Sequence, residues 1–240
     1  QSRRPSAAWR AEIPVREQQT YEVDIVGLTH EGEGVGRIEG FTLFVRGALP
    51  GERVVARVVG VKKQYGHAEM VSVLKESEER VTPPCPIYGQ CGGCQLQHLS
   101  YEAQLNWKRQ MVVDNLQRIG KLEVADVASQ EASADTDAGK RGDSVSGLDG
   151  AATRLEESVE AGGTIVHPTI GMRDPWRYRN KAVVPIGERE GGLVAGFYEQ
   201  GSHRIVDMDA CLIQDPQNDE LIRQVKRIAQ ELGVPAYDKK

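Results

Sequence analysis

Residues 20–75 read TYEVDIVGLTHEGEGVGRIEGFTLFVRGALPGERVVARVVGVKKQYGHAEMVSVLK, a segment in which short runs of alternating apolar and polar residues follow one another. Alternation with a period of two is typical of strands that bury one face. The predicted strands are 20–28, 34–38, 41–46, 52–60 and 67–74. Glycine-rich turns and a Leu-Pro-Gly turn at 49–51 separate them. Five short strands in so compact a segment predict a small closed barrel of the oligonucleotide-binding (OB) type.

The composition predicts a chain of two folded parts. It has 240 residues, of which 39% are hydrophobic and 27% charged, enough for two small domains with real cores. No apolar run approaches the ~18 residues of a membrane span, and the first residues do not form a secretory signal. We therefore expect a cytoplasmic protein without a membrane partner, and a monomer.

The net charge of −5 is unevenly distributed. Residues 121–165 contain ten acidic and four basic residues, a balance of −6, which leaves about +1 for the rest of the chain. The middle of this stretch is mostly Ala, Ser, Gly and Asp, a composition that buries too little to offset its ordering entropy. We predict a disordered insertion at 126–163 and a flexible tail at 1–15, with a remainder whose charge permits a nucleic-acid partner.

The second half of the chain reads as α+β. A helix is predicted between Ser100, a possible cap, and Gly120, a possible stop. Three alternating runs at 181–187, 193–198 and 203–208 predict an antiparallel meander. A last helix follows, with Asp215 as its cap and Pro216 at its first position. The domain limits predicted from these patterns are 16–75 for the barrel and 76–240 for the second domain.

Three of the four cysteines lie within ten residues, in CPIYGQCGGC at 85–94, and the fourth is Cys211. In a reducing compartment such a set indicates metal binding more than disulfides. The flexible glycines between Cys91 and Cys94 suit a loop that folds around a metal group. A structural zinc held by four thiolates and an iron–sulfur cluster both remain open, and the single CxxC with distant partners is closer to the ferredoxin pattern.

Several motifs together resemble the iron–sulfur type of RNA (uracil-5-)-methyltransferase, which acts on 23S ribosomal RNA. They are GEGVGR and FVRGALPGE in the barrel, the cysteine segment followed by QLQHLSYEAQLNWKRQ, MRDPWRYRNKAVVPIG, and SHRIVDMDACLIQ. The resemblance covers nearly all of the chain outside the acidic insertion, which is longer than the family's central domain usually needs.

This resemblance implies a TRAM domain for the barrel and a [4Fe-4S] cluster on Cys85, Cys91, Cys94 and Cys211. It also implies that S-adenosylmethionine and the nucleophilic cysteine belong to a further domain, so that this chain by itself contains no catalytic residue and binds no S-adenosylmethionine. The fold class expected is therefore mixed: an all-β five-stranded OB-like barrel, then an α+β domain with an antiparallel sheet and a bound cluster.

Candidate RNA contacts lie in RDPWRYRNK at 173–181, where cations stand beside Trp176 and Tyr178. Basic residues neutralise phosphates and aromatic rings stack on bases. The candidates in this stretch are Arg173, Arg177, Arg179, Lys181 and, through the family's YRNK motif, Asn180. Arg37, Lys62 and Lys63 of the barrel are further candidates.

Two functional hypotheses remain open: the RNA-recognition part of a uracil-5 methyltransferase, and a stand-alone RNA-binding module with a structural zinc held by the four cysteines. A radical enzyme carrying a TRAM domain is a poorer fit, because its cluster must leave one iron open for S-adenosylmethionine and four thiolates leave none.

Overall fold

The computed structural model describes residues 13–125, 163–189 and 191–236. Nearly all of the tail predicted at 1–15 and of the insertion predicted at 126–163 lies outside these residues. The chain divides into two compact units, one made of 1–100 and 179–240 and the other of 101–178. The predicted domain limits at 16–75 and 76–240 stay predictions. None of the helices in the described ranges is long and apolar enough to span a membrane.

The first unit begins with a closed five-stranded barrel, as predicted. Its strands are β1 (Thr20–Leu28), β2 (Gly34–Ile38), β3 (Phe41–Arg46), β4 (Arg53–Val61) and β5 (Tyr65–Lys75). The order around the barrel is β1-β2-β3-β5-β4, and pairing of β1 with β4 closes it. All neighbours are antiparallel except β3 and β5, which run parallel. The alternation read from the sequence thus predicts the strands to within two residues at either end.

The barrel core is built from the inward residues of these alternating strands. Val23, Leu43, Val54 and Val58 are almost fully buried in it. Gly36 of β2 faces this core, where an added Cβ would lie 2.2 Å from Cγ1 of Val23. The close approach of β1 and β2 therefore requires glycine at this position.

The second unit contains one long helix and a minimal parallel pair of strands. The helix is α1 (Tyr101–Arg118), and the strands are β6 (Val124–Ala125) and β7 (Thr164–Ile165). The side chain of Thr169 donates to the Leu105 carbonyl of α1 at 2.9 Å. This contact fixes the chain that follows β7 against the helix.

The remainder of the first unit is the predicted meander and last helix. Strands β8 (Ile186–Arg189), β9 (Gly192–Tyr198) and β10 (Ile205–Asp207) form an antiparallel sheet in the order β10-β9-β8. The first of them starts later than predicted, after Pro185, which lacks the N–H that a ladder needs. Helix α2 (Pro216–Glu231) is capped by Asp215, whose side chain accepts a bond from the Gln217 N–H at 2.8 Å.

Candidate functional site

All four cysteines of the chain line one cavity of the first unit. Three come from the loop at 85–94, and Cys211 comes from the connection between β10 and α2, 117 residues after Cys94. Each is partly buried, and none forms a disulfide. The fold thus brings together thiols that are far apart in the sequence.

The loop at 85–94 is held by its own backbone. The Cys91 N–H donates to the Ile87 carbonyl at 2.8 Å, and the Gly93 N–H donates to the Cys91 sulfur at 3.3 Å. Gly92 donates to the carbonyl of Tyr198 at 2.9 Å, and a Cβ at Gly92 would lie at the same 2.9 Å from that oxygen. Glycine is therefore required for the loop to dock against the end of β9.

Cys211 is positioned by a buried carboxylate of α2. The Cys211 N–H donates to Oδ1 of Asp219 at 2.9 Å, and the Gln214 side chain donates to the same oxygen at 2.6 Å. Asp219 is 5% exposed and Gln214 is fully buried. Because a buried carboxylate needs donors, these bonds fix the loop that presents the sulfur.

The cavity that the four cysteines line is otherwise lined mainly by apolar residues and one cation. Besides the cysteines, the lining includes Ile87, Phe197, Met208 and Ile213, with Arg179 on one side. Burial raises the pKa of Cys91 and of Cys94, and the neighbouring thiolates raise both further. Holding several thiolates here therefore requires compensating positive charge. Thiolates are the ligand type that structural zinc and iron–sulfur groups use, so the residue types suit such a group.

Among the residues that the structure describes, no three His, Cys, Asp or Glu side chains form a group that could hold a metal ion. The predicted bound cluster is therefore not confirmed, and the assignment of Cys85, Cys91, Cys94 and Cys211 as ligands stays a prediction. His98 is not among the residues lining the cavity. Burial lowers its pKa to about 4, and its ring lies against the Tyr88 hydroxyl.

Arg179, one of the predicted RNA contacts, also lies at the cysteine cavity. Its backbone N–H donates to the Ile213 carbonyl at 2.8 Å, and its carbonyl accepts from the Asp215 N–H at 2.9 Å. The residue is thus tied to the segment that carries Cys211. Its role in RNA binding stays a prediction.

The remaining RNA candidates are distributed over both units. Arg173 and Arg177 lie in the second unit beside Tyr178, which is 53% exposed. Asn180 and Lys181 are exposed residues of the first unit. Arg37 lies on β2, whereas Lys62 and Lys63 follow β4 directly.

Sequence reasoning missed a group of three rings on the outer face of the barrel. Phe44, Tyr65 and His67 contact one another there. Each occupies an outward position of a strand in which apolar and polar residues alternate, and this alternation is visible in the sequence. The three rings meet because β3 pairs in parallel with β5. No pattern within either segment of the sequence predicts that pairing.

Comparison with known proteins concerns both the barrel and the part of the chain that carries the cysteines. Residues 14–71 match the TRAM domain. Over 229 residues the chain is 46% identical to an uncharacterized RNA methyltransferase of Halalkalibacterium halodurans, and over 225 residues it is 43% identical to one of Bacillus cereus. These matches cover 95% and 94% of this chain but only 42% and 41% of those proteins. The chain thus spans less than half the length of these relatives.

A solved structure agrees with the fold. The crystal structure of Pyrococcus abyssi tRNA (uracil-54, C5)-methyltransferase in complex with S-adenosyl-L-homocysteine matches with a TM-score of 0.50 at 22% identity, covering 89% of this chain and 37% of that one. At this identity the likeness concerns the fold. The chain therefore contains a TRAM domain and shares strong homology with RNA methyltransferases.

Proposed function

We propose that this chain is the RNA-recognition and cluster-binding part of an S-adenosylmethionine-dependent RNA (uracil-C5)-methyltransferase that acts on 23S ribosomal RNA. The observation that carries the proposal is the meeting of all four cysteines in one cavity, in a chain with a TRAM domain and RNA methyltransferase relatives. The choice of uracil and of ribosomal RNA comes from the resemblance of the motifs. We expect the protein to act as a cytoplasmic monomer.

The proposed cofactor of this part is a [4Fe-4S] cluster on Cys85, Cys91, Cys94 and Cys211. Bound there, it would tie the loop at 85–94 to a segment more than a hundred residues later, so its contribution is structural. The residues of the chain prepare the site: Asp219 orients the Cys211 loop, and the Gly93 N–H lies 3.3 Å from a sulfur. Arg179 is the one cation among the described residues that line this cavity.

The cluster and the zinc alternative differ in size and in the metal that they contain. A single zinc requires four sulfurs about 2.3 Å from one point. A cubane is larger, because irons and sulfides lie between the thiolates. Both cofactors would use the same four cysteines, so metal analysis of the purified protein separates them.

Metal analysis after anaerobic purification tests the cofactor. We expect a brown protein with about four irons per chain, and a Cys211→Ser variant with little iron. Asp209→Ser is the matched control, because it changes an exposed side chain of the same segment that does not line the cavity and removes no sulfur. A colourless protein that contains zinc contradicts the cluster, and wild-type iron in Cys211→Ser removes this residue from the ligands.

Methyl transfer tests the activity. A protein of the relatives' full length that includes this chain is expected to label 23S ribosomal RNA at a uracil C5 from labelled S-adenosylmethionine. The 240-residue chain assayed alone is expected to transfer none, because all four of its cysteines line the cavity and none remains to attack C6. Label on transfer RNA alone contradicts the proposed substrate. Label transferred by the chain alone contradicts the cysteine assignment.

A further inference from the structure

Helix α2 exposes most of its apolar side chains. Leu221, Val225, Ile228 and Leu232 follow one another at helical spacing, and they are 57%, 51%, 48% and 74% exposed. We call these four residues the apolar stripe. A helix of a folded protein normally turns such a stripe toward a core. The stripe of α2 therefore lacks a cover within the part of the chain that the structure describes.

A neighbouring side of α2 does rest on the sheet of the first unit. Nζ of Lys226 donates to both carboxylate oxygens of Asp207, on β10, at 2.9 Å. Further contacts join the helix to β9. The helix thus lies over β9 and β10, and its apolar stripe is turned away from these two strands.

A groove separates the apolar stripe from β8. Val184 and Ile186 line it on the sheet side, and Leu221, Ile222 and Val225 line it on the helix side. Its volume is about 270 Å³, far more than the ~30 Å³ that one water molecule occupies. The groove therefore has room for several side chains, and its lining is mainly apolar. All of these residues belong to the first unit.

Strand β8 has an open outer edge. In the order β10-β9-β8, no strand of the described ranges pairs with its other side. The Gly196 N–H donates to the Pro185 carbonyl at 3.2 Å, which joins these two residues across the ladder. Because inward and outward backbone groups alternate along an antiparallel strand, the N–H groups of Ile186 and Glu188 point away from β9. Such an edge accepts a further strand.

We propose that the groove holds an apolar β-strand that pairs with the outer edge of β8, supplied by the part of the longer RNA methyltransferases that this chain does not span. Neighbouring strands lie about 4.8 Å apart, and their side chains line up on each face of a sheet. The inward side chains of this strand would therefore lie beside Ile186 and against Leu221 and Val225. One strand thus satisfies the open edge and covers the apolar stripe.

The length of the relatives identifies the source of the strand. The chain makes up 42% and 41% of the two relatives compared above, so most of each of those proteins lies outside it. Residues 126–162 of the chain itself are ill suited, because they are mostly Ala, Ser, Gly, Asp and Glu, residues that strands contain rarely or that pack poorly in them. The inference depends on the length of the relatives and goes beyond the proposed function, since it holds for any RNA substrate.

Hydrogen–deuterium exchange of β8 tests the inference in two proteins, the 240-residue chain and a protein of the relatives' full length that includes it. In the longer protein the amides of Ile186 and Glu188 should exchange about 10-fold or more slowly than in the chain, because a paired amide exchanges only when its strand opens. The amide of Gly187 faces β9 in both proteins and is the internal reference.

A substitution in the groove tests the role of the apolar stripe. In the longer protein, Val225→Asn should restore fast exchange at Ile186 and Glu188, because docking would bury an amide without partners. In the 240-residue chain the same variant should melt like wild type, since Val225 is half exposed there. Arg227→Asn is the matched control, with a side chain that is 69% exposed and does not line the groove, and it should leave both measurements unchanged.

The outcomes separate this inference from the proposed function. Equal exchange of β8 in the two wild-type proteins overturns the inference, and this comparison holds even where a variant fails to fold. Slow exchange that survives Val225→Asn in the longer protein also overturns it. Slow exchange in the 240-residue chain that becomes fast on dilution assigns the groove to a second copy of the chain instead, and size-exclusion chromatography then shows a dimer. Methyl transfer and metal analysis test the proposed function independently of all these results.

Discussion

The strongest perturbation that the structure offers is Arg80→Met, which removes one partner of a buried ion pair. Arg80 follows β5, and its guanidinium Nη2 donates to Glu52 at 2.8 Å and to the Gly47 carbonyl at 2.7 Å. The Glu52 side chain is fully buried, whereas that of Arg80 is 17% exposed. Glu52 also accepts the Leu49 N–H at 2.8 Å. Methionine retains most of the apolar stem but leaves the carboxylate buried without its cation.

The expected loss is about 3–5 kcal/mol of unfolding free energy, the usual effect of breaking one side of a buried pair. For a chain of this size each kcal/mol shifts the melting temperature by about 2–4 °C, so a decrease of roughly 6–20 °C follows. Thermal and urea unfolding, followed by circular dichroism, measure both quantities. Adding Glu52→Gln to Arg80→Met should recover part of the loss, because the buried group is then neutral.

The same pair predicts a pH dependence. Burial by itself would raise the pKa of Glu52, but hydrogen bonds from Arg80 and from the Leu49 N–H outweigh it and hold that pKa below its usual value. A carboxyl whose pKa is lower in the folded state stabilises the protein above its unfolded pKa, and loses this contribution as the pH falls through the folded value. Arg80→Met should therefore lose less stability than wild type on acidification below about pH 4.5.

The exposed pair of Arg53 and Asp24 provides the control. Its side chains are 53% and 63% exposed, so Arg53→Met should melt close to wild type. A wild-type melting temperature in Arg80→Met, or an equal decrease in Arg53→Met, would show that burial does not determine the strength of this pair.

Three further predictions concern the cysteine cavity and the RNA candidates. Asp219→Ala should cost about 1–3 kcal/mol, because it leaves buried donors of the Cys211 loop unpaired, and urea unfolding measures this loss; unchanged stability contradicts it. Arg179→Ala should lower iron content, whereas Arg177→Ala should leave iron unchanged and flatten the salt dependence of RNA binding; the reverse pattern contradicts the placement of Arg179. Replacing residues 126–162 by a short linker should leave the melting temperature unchanged and slightly raise RNA affinity at low salt; a large loss of stability contradicts the insertion predicted from composition.

The sequence predicted those strands and helix ends that depend on residues close together along the chain. Alternation located all five barrel strands, and the Asp215-Pro216 pair located the start of α2. That helix also carries apolar residues at helical spacing, but two of them, Leu221 and Val225, are 57% and 51% exposed. Periodicity shows that a face is apolar, and it does not show what covers that face.

Pairings between distant residues could not be predicted. Glu52 reads as an ordinary strand-end glutamate, yet it is 1% exposed, because its partner Arg80 lies 28 residues later. Arg179 reads as one cation of a basic cluster, and only its backbone pairing with Ile213 reveals its position beside the cysteines. In each case the contact that determines the residue's surroundings joins two segments far apart in the sequence. No pattern within either segment predicts that contact.

The barrel and the cysteine cavity are stabilised by different forces. The main buried hydrophobic cluster consists of the barrel strands together with Val15 and Ala48, and it includes no residue of the loop at 85–94. That loop is held by backbone hydrogen bonds, such as those of Cys91 to Ile87 and of Gly92 to Tyr198, and in our proposal by a metal group on its thiols. Since a bound metal group contributes its binding energy to folding, removing it should loosen the cavity and leave the barrel folded. We therefore expect a chelator that removes metal from the cysteines to leave the barrel folded and any RNA binding by the barrel unchanged.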